Sequence, residues 1–448
     1  MASLEVARHV LQTTFGHPDF RPLQARVVSP LMAGRDVLAV LPTGGGKSVC
    51  FQVPALATRG VTVVVSPLIA LMQDQVAALS ARGVRAVAFN STVGREAQDA
   101  AMQAASAGRL RLLYTSPERL PRLADELAAR HIPVARLAVD EAHCIVEWGH
   151  DFRPSYRAIR AARESLGTPQ CIALTGSATP DVRREITCAL ALRPDAATVI
   201  GSFDRPNLHF DVVPVSGRED RLAKLVVLVR SSRDPAIVYA PTRGLVDGLT
   251  RILREAGVDA APYHAGMTPD ERRSTLEQFL GGEFRVVVAT CAFGMGIDKP
   301  NVCLVVHWSS PATPESYYQE AGRAGRDGAA ARCVLLHHPA DDVVPRKQLE
   351  VTFPPERLVE RAWADTALRD RQPGGVVASI DRLAAELRPD RGRVRWQGVR
   401  RRKREAERRL TAMMRYATAR ECRRRMLVGW FGETLRRCSG CDQCTGRG

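Results

Sequence analysis

Lysine is nearly absent from this chain: 448 residues contain 5 lysines against 59 arginines. Acidic residues are also in deficit, with Asp+Glu at 48 and Lys+Arg at 64, which leaves +16 at pH 7. No run of about 18 apolar residues occurs, so no membrane-spanning helix is expected. The opening MASLEVARHV has no basic segment followed by an apolar core, so no secretory signal is expected either. A chain that is not exported keeps its 11 cysteines in a reducing compartment, which excludes a scattered disulfide framework. Hydrophobic residues at 45% and charged residues at 25% exclude disorder over the whole length. The length suits two to four domains.

The basic excess is uneven. Residues 391–409 hold ten basic and two acidic residues (+8) and residues 411–437 hold seven and two (+5), so 13 of the 16 excess charges fall within 47 residues. Arginine-rich composition alone would spread along the chain. The clustering points to a face for a polyanion, a nucleic acid, against the blander reading of a solvated helix.

The first 335 or so residues alternate short apolar runs with helix-compatible stretches, which predicts parallel sheets in an α/β fold. Buried strands are expected at 36–41, 61–66, 110–114, 137–139, 171–174 and 199–200. The pattern restarts after Arg205-Pro206, with strands at 236–239, 260–263, 286–289, 302–308 and 331–337. Two lobes, 1–204 and 205–340, follow from that break. Residues 341–398 form a mostly helical insert with breakers at Phe353-Pro354-Pro355 and Gln372-Pro373-Gly374-Gly375, and helical stretches at 356–368 and 379–387. A basic helix is expected from about 399 to 425, leading into a cysteine module that ends the 399–448 segment.

Leu41-Pro-Thr-Gly-Gly-Gly-Lys-Ser48 follows an apolar strand and precedes a helix-compatible run. Thr43, Gly44, Gly45 and Gly46 let backbone N–H groups close around phosphates, Lys47 reaches the β- and γ-phosphates, and Ser48 offers a hydroxyl to magnesium. Leu41 stands where the common phosphate loop has glycine. About 95 residues further on, Leu137-Ala-Val-Asp-Glu-Ala-His143 is an apolar strand ending in two carboxylates. Asp140 can hold magnesium and Glu141 can orient and deprotonate the attacking water. His143 alone would read as a packed core histidine. At the other end of the chain, Cys422, Cys438, Cys441 and Cys444 have the spacing C-x15-C-x2-C-x2-C, which suits tetrahedral zinc. The other seven cysteines are expected in strands or helices, as packing.

These motifs, in order and with Ser177-Ala-Thr179 after them, resemble a superfamily 2 helicase, and further matches resemble the RecQ family of DNA helicases. They are Phe20-Arg-Pro-Leu-Gln24, Cys144-Ile-Val-Glu-Trp-Gly-His-Asp-Phe-Arg-Pro-Ser-Tyr156, Ala292-Phe-Gly-Met-Gly-Ile-Asp-Lys-Pro300, Gln319-Glu-Ala-Gly-Arg-Ala-Gly-Arg-Asp-Gly328, and the segment from Tyr416 through Trp430-Phe-Gly-Glu433 to the last cysteine. The resemblance implies two RecA-like lobes with parallel sheets and the following roles. Gln24 reads adenine with Arg21 beside it, although His17 stands where many relatives place an aromatic residue. Gln319, Arg323 and Arg326 serve the γ-phosphate, and the two arginines share a face if helical. Trp148 and Phe152 stack on unpaired bases, with His150 and Arg153 linking them to the carboxylates. Asp298 and Thr290 connect nucleotide to DNA. Thr175-Gly-Ser-Ala-Thr179 carries glycine where alanine is usual.

The implied activity is ATP-dependent translocation on single-stranded DNA, 3′-to-5′, with unwinding of duplex, in DNA repair or recombination. The alternative is a DNA-stimulated ATPase or translocase with little strand separation. ATP, Mg2+ and Zn2+ are the implied cofactors. Single-stranded and duplex DNA are the implied partners, with a single-strand-binding protein or repair factors beyond them, in a monomeric, cytoplasmic, bacterial nucleoid-associated protein. Only four residues follow Cys444, so the winged helix and small helical domain of longer relatives are not expected within this sequence. The 341–398 insert and the basic helix stand as either a substitute duplex-binding element or a structural spacer.

Overall fold

The computed structural model describes residues 3–42, 44–89, 93–146, 154–294, 299–387 and 394–445. The chain divides into two compact units: Met1–Arg205 with Phe293–Pro300 and Val428–Arg436, and Pro206–Ala292 with Asn301–Leu427 and Arg437–Gly448.

The first unit is built on seven strands, β1 (Val37–Val40), β2 (Val61–Val65), β3 (Ala86–Phe89), β4 (Leu112–Thr115), β5 (Val134–Val139), β6 (Gln170–Thr175) and β7 (Ala197–Ile200). Their order is β3-β4-β2-β5-β6-β1-β7, and every pairing is parallel. β2 reads Val-Thr-Val-Val-Val with every residue buried. A strand that is apolar without alternation must be covered on both faces, as parallel sheets with crossover helices are. Helices Pro22–Met32 and Val49–Ala57 place Val27, Leu31, Phe51 and Ala55 in one cluster with Val37, Ala39, Val64, Ala138, Ile172 and Leu174 of the sheet. Parallel order brings the carboxyl ends of β1, β5 and β6 to one edge, where the turns after them hold 41–48, 140–141 and 175–179.

The second unit has six strands, β8 (Leu208–Pro214), β9 (Ala236–Tyr239), β10 (Ala260–Tyr263), β11 (Val286–Ala289), β12 (Leu304–His307) and β13 (Ala331–His337), in the order β10-β11-β9-β12-β13-β8, again all parallel. The structure adds two strands to those expected, β3 and the edge strand β8. β3 is Ala-Val-Ala-Phe, short and alanine-rich. β8 includes His209 and Asp211, and Asp211 is occupied by Arg332 of β13 at 2.7 Å, so a polar residue sits in a strand that the sequence pattern does not mark.

Beyond β13 the chain is helical, with helices Val343–Thr352, Glu356–Ala364, Thr366–Asp370, Gly374–Leu387 and Gln397–Thr418. Phe353, Val359, Ile380, Leu383, Trp396 and Val399 form a small core of their own, and Trp363 and Trp396 stack at 5.7 Å. The expected basic helix does not run to 425. It ends at Thr418, where Ala419 turns extended (φ −65°, ψ 152°), and a separate helix covers Arg423–Trp430. Among the described residues no helix is long and apolar enough to cross a membrane.

Candidate functional site

The phosphate loop is held by the helix in front of it. Arg21 precedes helix Pro22–Met32 and donates from Nη1 to the Gly44 carbonyl at 2.8 Å. Gln24 is buried; its Oε1 accepts the Arg21 N–H at 2.9 Å and its Nε2 lies 3.3 Å from the carbonyls of Gly45 and Gly46. The amide edge that would meet adenine is therefore engaged with the loop. Gly46 has φ +68°, and a Cβ there would run into the Gln24 amide, so only glycine fits. Ser48 caps helix Val49–Ala57 without a side-chain hydrogen bond. Thr43 lies outside the described residues.

Asp140 and Glu141 follow β5 directly. The Asp140 N–H donates to Val65 of β2 at 2.8 Å, the Glu141 N–H donates to Asp140 Oδ1 at 3.0 Å, and the Tyr156 hydroxyl donates to the Asp140 carbonyl at 3.1 Å. Glu141 sits at φ 45°, ψ 47°, a left-handed conformation unusual for a residue with a Cβ and typical of a functionally fixed position. Burial, and after it the Glu141 carboxylate, pushes the Asp140 carboxyl upward, while Lys47 pulls it back, which places the Lys47 ammonium within electrostatic reach of Asp140. A carboxyl so placed is poised for a cation.

His143 is not simply packed. Its Nδ1 is 2.9 Å from Thr175 Oγ1 and 3.3 Å from Glu141 Oε2. The Thr175 hydroxyl also donates to the Ser177 carbonyl at 3.3 Å, which joins the histidine to the turn after β6. The histidine thus ties the carboxylates to the turn holding Ser177 and Thr179, both buried, with Thr179 capping helix Pro180–Ala189. No spacing rule in the sequence pointed to this bridge.

In the second unit Gln319 lies on helix Pro314–Ala321, and Arg323 and Arg326 follow its end. The two arginines would share a face only if helical, and they are not: Gly322 closes the helix and the chain continues in tight turns. Arg323 is buried, its N–H donates to the Glu320 carbonyl at 3.2 Å, and its side chain, like that of Arg326, lies within electrostatic reach of the Tyr239 phenol. Thr290 follows β11, and its N–H donates to the Tyr263 carbonyl at 3.2 Å. Trp148, His150, Phe152, Arg153 and Asp298 lie outside the described residues.

The Sγ atoms of Cys422, Cys438, Cys441 and Cys444 all lie within 4.8 Å of one another. Cys441 and Cys422 sulfurs are 3.9 Å apart, close to the ~3.8 Å edge of a tetrahedron with 2.3 Å bonds to zinc. The Arg425 N–H reaches Cys422 Sγ at 3.5 Å. Four thiols and no carboxylate or imidazole make a donor set suited to zinc. The cluster docks on the edge of the second sheet, where Cys441 bridges to Phe210 and Asp442 accepts the Val212 N–H at 3.2 Å, so β8 is covered along that side. Of the other cysteines, Cys50, Cys144, Cys171 and Cys333 are buried in regular elements, but Cys188 and Cys291 are exposed, and Cys291 and Cys303 lie outside strands and helices.

The clustered arginines are less free than their count suggests. Arg402 pairs with Glu386 at 2.6 Å, Arg409 with Glu405 and Glu315 at 3.1 and 3.5 Å, and Arg400 with Glu356 at 2.7 Å. Arg423 and Arg424 are buried; Arg423 reaches Asp442 at 3.1 Å and Arg424 donates to the Leu208 carbonyl. Much of the charge read as a nucleic-acid face holds the helices together.

Three family models match the chain: DEAD/DEAH box helicase over 21–186, helicase conserved C-terminal domain over 218–328, and RecQ zinc-binding over 383–445. The ATP-dependent DNA helicase RecQ of Bacillus subtilis (strain 168) is 42% identical over 78% of this chain and 58% of its own length. That of Pasteurella multocida (strain Pm70) is 35% identical over 98% of this chain and 62% of its own. The probable ATP-dependent DNA helicase RecS of Bacillus subtilis (strain 168) is 37% identical, covering 75% of this chain and 67% of its own. The chain thus spans 58% and 62% of the length of these two RecQ relatives. Among solved structures, Mycobacterium smegmatis helicase Lhr bound to ssDNA and AMP-PNP matches with TM-score 0.59 at 23% identity over 82% of this chain and 53% of that one. The DUF1998 helicase MrfA bound to DNA and AMPPNP matches with TM-score 0.63 at 18% identity, over 77% and 52%. These structures establish a shared fold.

Proposed function

The chain belongs to the RecQ helicase family, and from that premise we propose that it is an ATP-hydrolysing DNA helicase that moves 3′-to-5′ on single-stranded DNA and separates duplex in repair or recombination. The observation that carries the reading is the convergence of Lys47, Asp140, Glu141 and the His143–Thr175 bridge at the carboxyl edge of one parallel sheet. Lys47 and the Gly44–Gly46 loop, with Thr43, bind phosphates. Arg21 and Gln24 read adenine, Gln24 exchanging its loop carbonyls for the base. Ser48 and Asp140 would hold magnesium, which neutralises phosphate charge. Glu141 orients and deprotonates water. Gln319, Arg323 and Arg326 answer to the γ-phosphate. Trp148, His150, Phe152, Arg153 and Asp298 couple this chemistry to DNA. Cys422, Cys438, Cys441 and Cys444 hold zinc as a structural ion.

We read 1–204 and 205–340 as the two lobes, 341–398 as a helical insert and 399–448 as the basic helix with the zinc module. The protein is read as a cytoplasmic, nucleoid-associated monomer that meets single-strand-binding or repair proteins on DNA. A second reading, a DNA-stimulated translocase with little strand separation, is favoured by one observation: Arg400, Arg402 and Arg409, candidates for gripping duplex, are paired with carboxylates. A strand-displacement assay on a 3′-tailed duplex, run beside ATP hydrolysis, tests both. ATP-dependent displacement that Lys47→Ala abolishes supports the helicase, and DNA-stimulated hydrolysis without displacement selects the translocase. Parental hydrolysis in Lys47→Ala rejects both.

A further inference from the structure

We propose that a buried aromatic column within the second unit, running from Tyr239 through His307 and Tyr317 to Tyr416, positions Arg323, with the cysteine knuckle as its foot. The inference rests on the reading of Arg323 as a γ-phosphate residue.

Tyr239 and His307 end neighbouring parallel strands and are partners in register, β9 to β12. Side chains in register share a sheet face, and these two rings stack at 5.3 Å and 21°. The His307 side chain is only 1% exposed, and its Nε2 lies 2.8 Å from Glu320 Oε2. One turn earlier on the same helix, Tyr317 tilts against His307 at 4.8 Å. Positions three apart share a helix face, so one histidine meets both a ring and a carboxylate of helix Pro314–Ala321. Arg323 stands two residues past that helix; its N–H donates to the Glu320 carbonyl at 3.2 Å, and its guanidinium lies within electrostatic reach of the Tyr239 phenol. An arginine side chain has many rotamers to lose, so fixed surroundings are what hold it in one direction.

The far end reaches the metal module. Tyr416, on helix Gln397–Thr418, tilts on Tyr317 at 5.0 Å and donates its hydroxyl to the Tyr317 oxygen at 3.3 Å. Arg423 lies over the Tyr416 ring at 5.7 Å, donates to the Tyr416 carbonyl and reaches Asp442 at 3.1 Å, next to Cys441. Burial pushes the Tyr239, Tyr317 and Tyr416 phenols well above their usual range, so all three remain protonated. An aliphatic core would bury similar area without fixing directions. Here polar contacts link Arg323 to Glu320, Glu320 to His307 and Tyr416 to Tyr317, so a shift at one end is felt as lost hydrogen-bond geometry at the other.

The test is steady-state ATP hydrolysis with single-stranded DNA, measured on the full chain with zinc content and thermal stability. Tyr239→Phe keeps the ring and removes one hydroxyl. We expect kcat to fall up to about tenfold, as the loss of a polar partner beside a charged group implies, with KM for ATP, zinc and stability near parental values. Tyr416→Phe should lower kcat by a smaller factor, and the double variant should cost less than the product of the two, because both act on one column. Parental kcat in Tyr239→Phe while Arg323→Ala is inactive overturns the column alone, as does a fall in kcat matched by unfolding at the assay temperature. Parental turnover in Arg323→Ala overturns the reading of the arginine and the column with it.

Discussion

At the carboxyl edge of the first sheet stand Asp140, Glu141 and His143 with Lys47 close by; at the same edge of the second stand Tyr239 and His307, with Arg323 beyond them. Both edges come from the same parallel construction, in which every strand points its carboxyl end the same way. The first edge sets the Asp140 and Glu141 carboxylates beside Lys47, where the proposed cation and water chemistry would take place. The second sets the Tyr239 and His307 rings, with Glu320 on His307, where the proposed column would hold Arg323. The architecture fixes where functional residues stand, and the residue types at the strand ends decide what each edge does.

The hardest way to break this comparison is to disable the first edge. Glu141→Gln and Lys47→Ala should each lower DNA-stimulated ATP hydrolysis by about a thousandfold or more, as expected when the water-activating or phosphate-binding group is lost, measured by phosphate release. Cys441→Ser comes next. A structural zinc site supplies folding free energy, so zinc should fall below half an equivalent and the second unit should melt earlier, read by elemental analysis and calorimetry. The loss should include protection of β8, because Cys441 bridges directly to Phe210. Amide exchange across 208–214 reports it.

His143→Ala should act more mildly. It removes the link between Glu141 and Thr175 and should cut DNA stimulation of hydrolysis up to about tenfold while ATP binding stays, as the loss of one or two hydrogen bonds implies. The smallest effect belongs to Arg400→Ala. Its pair with Glu356 is exposed at 59% and 33%, so the denaturant midpoint should move only slightly. Duplex affinity should barely move if that arginine serves the helices. A salt dependence weakened by about one unit of slope would instead show a phosphate contact there.

How much of this was legible in the sequence depends on the range of the interaction. β2 and β11 announce themselves as unbroken apolar runs because both of their faces are buried. The phosphate loop, the carboxylates and the four cysteines are local patterns whose spacing carries the chemistry. β8 was hidden, since His209 and Asp211 make it look like a loop, and the Arg332 that pairs with Asp211 lies 121 residues on. The arginine cluster shows the same effect: Glu386 and Glu315, which pair with Arg402 and Arg409, lie outside the basic segments, and a local charge count cannot see the pairing. His307 and Tyr239 sit at the ends of apolar strands, where nothing in their neighbours separates a positioning residue from core.

If the first edge performs hydrolysis as proposed, Glu141 acts on water and leaves nucleotide binding to the loop. The most direct test of this is ATP turnover and ATP affinity measured together on Glu141→Gln, with saturating single-stranded DNA. The account predicts turnover lost by about three orders of magnitude with affinity within a fewfold of the parent. Turnover near the parental rate, or affinity lost in step with turnover, would contradict it.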